Sequence, residues 1–265
     1  MIADLHNDIL VEKRCFYRGN KNAVVGAVWT SKLDKPLEVL QWAKRKAKYR
    51  AIEDLGFIEK KDFKMISDFA PVYASLTWNE QNALAGGAFS DGGLTDWGKE
   101  VVDFLFENGI SLDMAHLNKR SFFETAEYID KKGFISKPLN DNSKVLCSHT
   151  CFDGIFSHKR NLTDEQIKAV ISFDGVIGLT LVPQFMGNDD AGADDVIKQI
   201  EYFLQRFDYK HLGLGTDFFG VERTAVKDYP ELEKLKIRLI KMGLCEKKMD
   251  AIFFENVMRF LAPYS

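Results

Sequence analysis

The sequence lacks the features that would indicate a membrane or disulfide-rich secreted protein. No run of about 18 apolar residues occurs, so no segment is predicted to span a bilayer. The first residues resemble a β-strand rather than a basic region followed by an apolar one, so we expect no signal peptide. Four cysteines in 265 residues are too few for a disulfide framework. Together these absences predict a reduced, cytoplasmic protein.

The sequence also lacks a large excess of charge of either sign. A net charge of −3 and a pI near 6.0 argue against nucleic acid or an anionic membrane as a partner. Proline and glycine are not enriched, and we find no linker, low-complexity segment or internal repeat. Hydrophobic residues make up 46% of the chain and include 21 phenylalanines, which is enough for a sizeable core. We therefore predict one domain over residues 1–265.

Eight apolar segments are predicted to be β-strands, and helical patterns lie between most of them. The strands span residues 2–8, 23–30, 49–54, 72–78, 110–116, 144–149, 175–182 and 211–218. Helical periodicity covers residues 36–48, 95–108, 194–207 and 246–261, and a capping box from Thr163 to Gln166 begins another helix. Nearly continuous apolar strands that alternate with helices indicate a parallel sheet covered on both faces. Because no glycine-rich phosphate loop follows the first strand, we predict an α/β fold of the (β/α)8 TIM-like barrel type rather than an open sheet.

Metal-capable side chains recur at the predicted carboxyl ends of these strands, where barrel active sites lie. His6 and Asp8 face the same way, since residues two apart on a strand share a side. The other such side chains are Glu53, His116, His149 and Asp217. One of these residues alone would more often be a hydrogen-bonded core histidine or a helix cap. Five of eight strands ending in this way favour a site for two divalent metal ions such as Zn²⁺.

Other histidines and cysteines are expected to have ordinary roles. His211 begins the last strand and therefore belongs at the opposite end of the barrel, and His158 is expected at the surface. Cys147 and Cys151 flank His149 and could form a zinc site with it. We favour small buried hydrophobic residues, because no second cysteine pair completes a tetrahedral ligand set.

Two further acids lie close to the predicted site in the sequence. Asp4 shares the face of His6 one layer deeper, so we expect it to support the site rather than to bind metal. Asp113, three residues before His116, is open to either interpretation.

Six short segments follow one another in a specific order along the chain. They are Asp4-Leu5-His6-Asn7-Asp8, Ala51-Ile52-Glu53, Leu112-Asp113-Met114-Ala115-His116, Cys147-Ser148-His149-Thr150, Lys159-Arg160-Asn161-Leu162 and Gly213-Leu214-Gly215-Thr216-Asp217-Phe218. Each segment is short, but their order and spacing are specific. In this respect the chain resembles the membrane (renal) dipeptidases, a family of zinc metallopeptidases, as one of its short bacterial-type members. The resemblance extends to Asn256-Val257-Met258-Arg259 and so covers nearly the whole chain.

The resemblance implies a barrel hydrolase with two zinc ions and a small dipeptide substrate. By position, the ligands would be His6 and Asp8 for the first ion, His116 and His149 for the second, and Glu53 as the bridge. Arg160 would bind the terminal carboxylate of the substrate, a role that suits a guanidinium group. Asp217 would carry the proton during attack by a metal-bridging hydroxide. A D-residue at the carboxyl side of the substrate and a homodimer are both compatible with this resemblance.

Trp78 is the main departure from the family pattern, which has a substrate-contacting histidine at this position. An indole donates one hydrogen bond and cannot shuttle a proton, and losing such a donor can lower the rate roughly 10²–10³-fold. Two alternatives to a dipeptidase therefore stay open. One is a related dinuclear-metal amide or lactam hydrolase that acts on another small molecule. The other is a metal-binding but catalytically silent homologue, against which the retained Asp217 and Arg160 argue.

Overall fold

Eight parallel strands close into a barrel in the order of the sequence. The computed structural model describes residues 1–10, 22–134 and 144–265, and Cys15 lies outside these ranges. The strands are β1 (Ala3–Asn7), β2 (Ala23–Trp29), β3 (Tyr49–Glu53), β4 (Tyr73–Ser75), β5 (Ser111–Asp113), β6 (Val145–Thr150), β7 (Val176–Leu179) and β8 (Leu212–Leu214). The predicted barrel and all eight of its predicted strands are confirmed.

Nine α-helices lie among the described residues. They are α1 (Pro36–Ala43), α2 (Phe63–Phe69), α3 (Asp96–Glu107), α4 (Lys119–Lys132), α5 (Asp164–Ser172), α6 (Ala193–Arg206), α7 (Tyr229–Lys241), α8 (Glu246–Asp250) and α9 (Asn256–Leu261), with a π-helical turn at Ala251–Glu255. The capping box at Thr163 and Gln166 is confirmed at the start of α5. Helix α1 is shorter than predicted, because a run of like charges follows Ala43 and weakens a further turn.

Helices α2, α4 and α7 were not predicted from the apolar pattern. Helix α4 shows the reason, since two polar residues, Ser121 and Thr125, are part of its buried face beside Phe122 and Ile129. Its start is defined by a polar contact, because the Asn118 side chain accepts a hydrogen bond from the Ser121 N–H. A buried face of mixed polarity gives a weak periodic signal in the sequence.

Strands β4, β5 and β8 each end after three residues, well before their predicted ends. His116 and Asp217 have φ angles of 67° and 61°, so the backbone leaves the extended conformation there. The predicted strand ends at Trp78, His116 and Phe218 were therefore wrong, and Trp78, His116 and Asp217 lie in the loops that follow the strands. Residues in loops above a rigid barrel are well placed to face a ligand.

The barrel is filled at its amino-terminal end and open at its carboxyl end. Helix α9 packs Val257, Phe260 and Leu261 against a core that includes Leu5 and Tyr73. A larger core lies between the strands and the surrounding helices. Among residues 1–10, 22–134 and 144–265, no helix is both long and apolar enough to cross a bilayer.

Candidate metal centre

A cavity of about 250 Å³ lies at the carboxyl ends of the strands. Its lining includes the predicted site residues Asp8, Glu53, Trp78, His116, His149, Arg160 and Asp217. Two backbone hydrogen bonds join the end of β1 to the loop after β8: Asp217 N–H donates to His6 O at 3.1 Å, and Asp8 N–H donates to Phe218 O at 2.9 Å. Residues more than 200 positions apart in the sequence are thereby neighbours at the site.

The five predicted ligands lie together, with Asp217 beside them. Ligand atoms of His6, Glu53 and His149 lie within 4.8 Å of one another, and so do those of His6, Asp8 and Asp217. Glu53 Oε1 lies 3.6 Å from His149 Nε2. The three acids and these imidazoles form one continuous cluster, in which His6 belongs to both groups.

Glu53 is also close to the remaining predicted ligand. Its Oε1 atom lies 2.7 Å from His116 Nε2, and the Nε2 atoms of His116 and His149 are 2.8 Å apart. One carboxylate thus contacts the histidines that follow β5 and end β6 while sharing a group with His6. This central place suits a bridging ligand between two cations.

Hydrogen bonds at Nδ1 define the tautomer of all three histidines. His6 Nδ1 lies 2.9 Å from the Tyr73 hydroxyl, which donates its own hydrogen to Leu5 O and so accepts from the imidazole. His116 Nδ1 donates to Asn79 Oδ1 at 2.8 Å, because a carbonyl oxygen can only accept.

His149 likewise carries its hydrogen on Nδ1, where its partner is a serine hydroxyl. Its Nδ1 lies 2.8 Å from Ser148 Oγ, whose hydroxyl donates to Asp113 Oδ2 at 2.5 Å. With hydrogen on Nδ1, each ring presents the lone pair of Nε2 to the cluster, which is the arrangement of metal-binding histidines.

The donor atoms fit divalent metal ions. His6 Nε2 and Asp8 Oδ1 are buried and have no hydrogen-bond partner within the described part of the chain. Leaving a buried polar atom unpaired is costly, so such atoms call for a ligand. Imidazole nitrogens combined with carboxylate oxygens are donors that Zn²⁺ and other first-row metals accept.

The electrostatics of the cluster also favour cations. Burial raises the pKa of Glu53 well above its usual range, and burial followed by the Asp8 charge raises the pKa of Asp217 to about 7. Burial lowers the pKa of His116 and His149 well below the ordinary value, which keeps both rings neutral. Burial also opposes a proton on His6, yet the Asp8 carboxylate, 3.5 Å from His6 Nε2, raises the pKa of His6 to about 10. The acids therefore draw positive charge to His6 Nε2, where a metal ion can replace the proton.

Backbone strain and a close glycine approach are concentrated at the site. His116, Asp217 and Phe219 have positive φ angles, a strained conformation that persists where the surrounding structure enforces it. A Cβ atom at Gly220 would lie 2.2 Å from Asp217 Oδ1 and 2.3 Å from Asp8 Oδ2. Only glycine leaves these two carboxylates free to face the cavity.

Arg160 is a buried cation on the wall of the cavity. Its side chain is 4% exposed, its Nε has no hydrogen-bond partner, and no acidic side chain among the described residues forms an ion pair with it. The guanidinium lies over the ring of Phe185, 5.4 Å from its centroid. A buried guanidinium without a carboxylate partner fits an anionic group on a ligand.

A large part of the chain matches a known protein family in sequence. Residues 64–263 match the family described as membrane dipeptidase, peptidase family M19. The chain belongs to the membrane dipeptidase family. The family expected from the six short segments is thereby confirmed. The match includes His116, His149, Arg160 and Asp217. It begins after β3, so His6, Asp8 and Glu53 lie outside it, and their place in the cluster rests on the structure alone.

Relatives of this membrane dipeptidase family member match it at low sequence identity. An uncharacterized dipeptidase of Schizosaccharomyces pombe is 25% identical over 201 residues, covering 72% of this chain and 46% of the yeast protein. Dipeptidase aclJ of Aspergillus oryzae is 25% identical over 213 residues, covering 75% and 46%. The chain therefore spans about half the length of these curated relatives. A Rhodobacter sphaeroides metallopeptidase, in complex with a phosphinate mimic of the dipeptide L-Ala-D-Ala, has a TM-score of 0.80 at 16% identity, covering 100% of this chain and 99% of its own.

Trp78 lies in the cavity wall, where the resemblance leads one to expect a histidine. Its indole packs against Trp29 with ring centroids 4.6 Å apart, and it lies 6.1 Å from the ring of His116. Trp29, at the end of β2, is held by a hydrogen bond from its indole N–H to Ser31 Oγ at 2.7 Å. The sequence did not indicate Trp29, because an aromatic residue ending an apolar strand has no distinguishing pattern.

The other sequence candidates lie where they were expected, with one exception. Cys147 and Cys151 are free and fully buried, and His211 Nδ1 donates a hydrogen bond to Gly175 O, away from the cavity. Asp4 accepts hydrogen bonds from the His6 N–H, from Thr216 and from Tyr229, and it is not part of either metal-capable group found among the described residues. His158 was expected at the surface, but it is half-buried and its ring stacks on Phe185 at 4.9 Å.

Sequence reasoning missed the residues that orient the three histidines. They are Tyr73, Asn79 and Ser148. Asn79 and Ser148 are each next to a residue that was singled out, which is the one signal the sequence offered. Tyr73 has none, because it lies inside an apolar strand.

Proposed function

We propose that this chain is a dipeptidase that uses two divalent cations, Zn²⁺ in particular, to hydrolyse the peptide bond of small dipeptides. One observation carries the proposal: three histidine rings and three buried carboxylates form one cluster at a cavity whose wall includes Arg160, a buried guanidinium without an acidic partner among the described residues. Such a set matches metal-assisted hydrolysis and includes no serine or cysteine nucleophile. Membership of the membrane dipeptidase family supports the same reaction class.

The residues divide into two ligand sets around Glu53. His6 and Asp8 would hold one ion, His116 and His149 the other, and Glu53 would lie between both. Cations bound there would supply a polarised substrate carbonyl and a water molecule that loses its proton near neutral pH. The hydrogen bonds at the three Nδ1 atoms keep the rings in the orientation that this requires.

Asp217 is suited to handle the proton. Its Oδ1 atom lies 4.0 Å from His6 Nε2 at the edge of the cluster, and burial and the Asp8 charge raise its pKa to about 7. A carboxyl group with a pKa near neutrality can take a proton at Oδ1 and release it again to a leaving amine. Both directions of transfer are needed when a peptide bond is broken.

Arg160 would fix the carboxyl end of the substrate. Its guanidinium can pair with a terminal carboxylate through two parallel hydrogen bonds. A cavity of about 250 Å³ with this group in its wall limits the substrate to short peptides. The dipeptide mimic bound to the Rhodobacter sphaeroides protein of the same fold supports a substrate of that size, including one with a D-residue at its carboxyl side.

Trp78 favours a second candidate, a related dinuclear-metal hydrolase of another small amide or lactam. The indole can donate one hydrogen bond to a developing oxyanion but cannot accept one or carry a proton. It also forms an aromatic part of the cavity wall, 6.1 Å from the ring of His116. A substrate with a flat apolar group would fit this wall.

The test is hydrolysis of a panel of L,L and L,D dipeptides by zinc-loaded protein, with bound zinc measured on the same samples. The Glu53→Gln variant is the blank, because it keeps the side-chain size and loses the bridging charge. Glu107→Gln, on the exposed end of α3, is the matched control.

Turnover in the wild type and control that disappears in Glu53→Gln supports the dipeptidase. Zinc binding without turnover of any dipeptide overturns it in favour of the second candidate or a silent homologue. In that case Trp78→His shows whether the missing donor is responsible.

A further inference from the structure

Asp113 accepts hydrogen bonds from Ser148, the residue before the metal-capable His149. Its Oδ1 accepts hydrogen bonds from the Ser148 N–H at 2.8 Å and from the Ala115 N–H at 3.0 Å. Its Oδ2 accepts from the Ser148 hydroxyl at 2.5 Å. The carboxylate at the end of β5 therefore bonds Ser148 of β6 at two points, the backbone N–H and the side-chain hydroxyl.

Asp4 repeats this pattern on the opposite side of the barrel. Its Oδ1 accepts from the Thr216 N–H at 2.8 Å and from the His6 N–H at 3.2 Å. Its Oδ2 accepts from the Thr216 hydroxyl at 2.7 Å. Because β1 and β5 are four strands apart in a closed barrel of eight, the two carboxylates lie across the barrel from each other.

The two sites share three contacts of the same kind. Each aspartate accepts a hydrogen bond from the N–H two residues ahead in the sequence and from both the N–H and the hydroxyl of a Ser or Thr, which is Ser148 within β6 or Thr216 just after β8. The Ser or Thr bonded in this way comes directly before a site residue: Ser148 before His149, and Thr216 before Asp217. Both aspartates are buried, at 0–1% exposure, and neither belongs to the metal-capable groups.

We propose that Asp113 and Asp4 are positioning residues that act through Ser148 and Thr216 to orient His149 and Asp217, an inference that rests on the proposed dipeptidase function. The Asp113 charge acts along a chain of two hydrogen bonds, since Ser148 Oγ in turn accepts the hydrogen of His149 Nδ1. A carboxylate behind a ligating histidine fixes its ring and raises its basicity.

The Asp4 side acts on the backbone around Asp217. Thr216 Oγ1 also accepts a hydrogen bond from the Phe218 N–H at 3.2 Å, so the threonine holds the chain on both sides of the strained Asp217. Tyr229 of α7 donates a further hydrogen bond to Asp4 Oδ2 at 2.7 Å. The hydroxyl of Thr216 thus keeps the proton-carrying carboxylate pointed at the cluster.

The experiment compares zinc affinity with kinetic constants in four variants of the full chain. Ser148→Ala is expected to raise the zinc dissociation constant about 10–100-fold, measured by competition with a chromogenic chelator. Thr216→Val is expected to lower kcat by about 10–100-fold while zinc affinity and KM stay at wild-type values. Thr216→Ser, which restores the hydroxyl, should recover kcat. Thr125→Val is the control, because the Thr125 hydroxyl is buried and has no hydrogen-bond partner in the described part of the chain.

The two arms separate this inference from the proposed function. Wild-type zinc affinity in Ser148→Ala overturns the inference whether or not dipeptides are hydrolysed. Equal kcat in Thr216→Val and the wild type, or no recovery in Thr216→Ser, overturns the Asp4 half. A wild type that binds zinc but hydrolyses no dipeptide overturns the proposed function and the Asp4 half with it.

Discussion

The buried carboxylates predict an unusual pH dependence of stability in metal-free protein. Burial and the Asp8 charge raise the pKa of Asp217 from 3.8 to about 7. Between these values the folded protein holds a proton on Asp217 that the unfolded chain releases. The Asp217 contribution to the free energy of unfolding therefore falls as pH rises from about 4 to 7, whereas His116 and His149, which burial keeps neutral, contribute in the opposite direction. Replacing Asp217 with Asn removes the Asp217 contribution and leaves the others, so the difference between the two proteins isolates it.

The size of the effect follows from the distance between the two pKa values. About three pKa units at about 1.36 kcal/mol each give a ceiling of about 4 kcal/mol at pH 7 for Asp217 alone. The side chain is 13% exposed, so little of this is lost to solvent screening. Burial raises the pKa of Glu53 as well, so Glu53 contributes in the same direction as Asp217, in the wild type and in Asp217→Asn alike.

The assay is urea unfolding of chelator-treated protein at a series of pH values from 4 to 8, with the free energy of unfolding extrapolated to water. Asp189→Asn, at an exposed loop position, is the matched control and should follow the wild type. Adding Zn²⁺ at pH 7 should stabilise the wild type, because ligands that bind the folded state raise its stability.

The result that would refute this reasoning is an equal slope for Asp217→Asn and the wild type between pH 4 and 7, which would mean that Asp217 carries no extra proton in the folded state. The expected result is a wild-type free energy of unfolding that falls, relative to that of Asp217→Asn, by up to about 4 kcal/mol over this range.

Two further substitutions test the glycine approach and the buried cation. Gly220→Ala should weaken zinc binding by tenfold or more, since the alanine Cβ would lie 2.2 Å from Asp217 Oδ1. Competition with a chelator measures the zinc affinity. Gly192→Ala is the control and should bind zinc normally, because a Cβ atom there meets no atom within 4 Å. Arg160→Met should lower kcat/KM for dipeptides about 10–100-fold by removing a charged hydrogen-bond donor, while the metal-free variant unfolds at a higher urea concentration because an unpaired buried charge is gone. Unchanged kcat/KM in Arg160→Met would contradict its role in substrate binding.

The barrel could be predicted because its signal is local. Each strand is a short apolar run, and β2, β3 and β6 end close to their predicted limits. The ends of β4, β5 and β8 could not be predicted, because tertiary contacts hold His116 and Asp217 in a conformation that their sequence neighbours do not indicate. Helix α4 was missed for a similar reason, since its buried face includes polar residues that find partners elsewhere in the fold.

The chemistry of the candidate site was visible in the types of residue at the strand ends, whereas its support was not. Tyr73 and Asn79 contact histidines that are 67 and 37 positions away in the sequence. No spacing rule connects a tyrosine inside an apolar strand to His6. The hydrogen bonds of Asp113 and Asp4 could not be predicted either, because each acid accepts from a hydroxyl that is distant in the sequence, that of Ser148 or Thr216.

The sequence by itself determined the order of the eight strands and which metal-capable side chains follow them, because hydrophobic periodicity and side-chain chemistry are properties of short segments. The tertiary structure alone decided that Glu53 lies between the histidines, that each Nε2 faces the cluster, and that Arg160 has no acidic partner among the described residues. These facts depend on distances across the barrel. Closure joins β1 to β8, and only then do residues from opposite ends of the chain share one cavity.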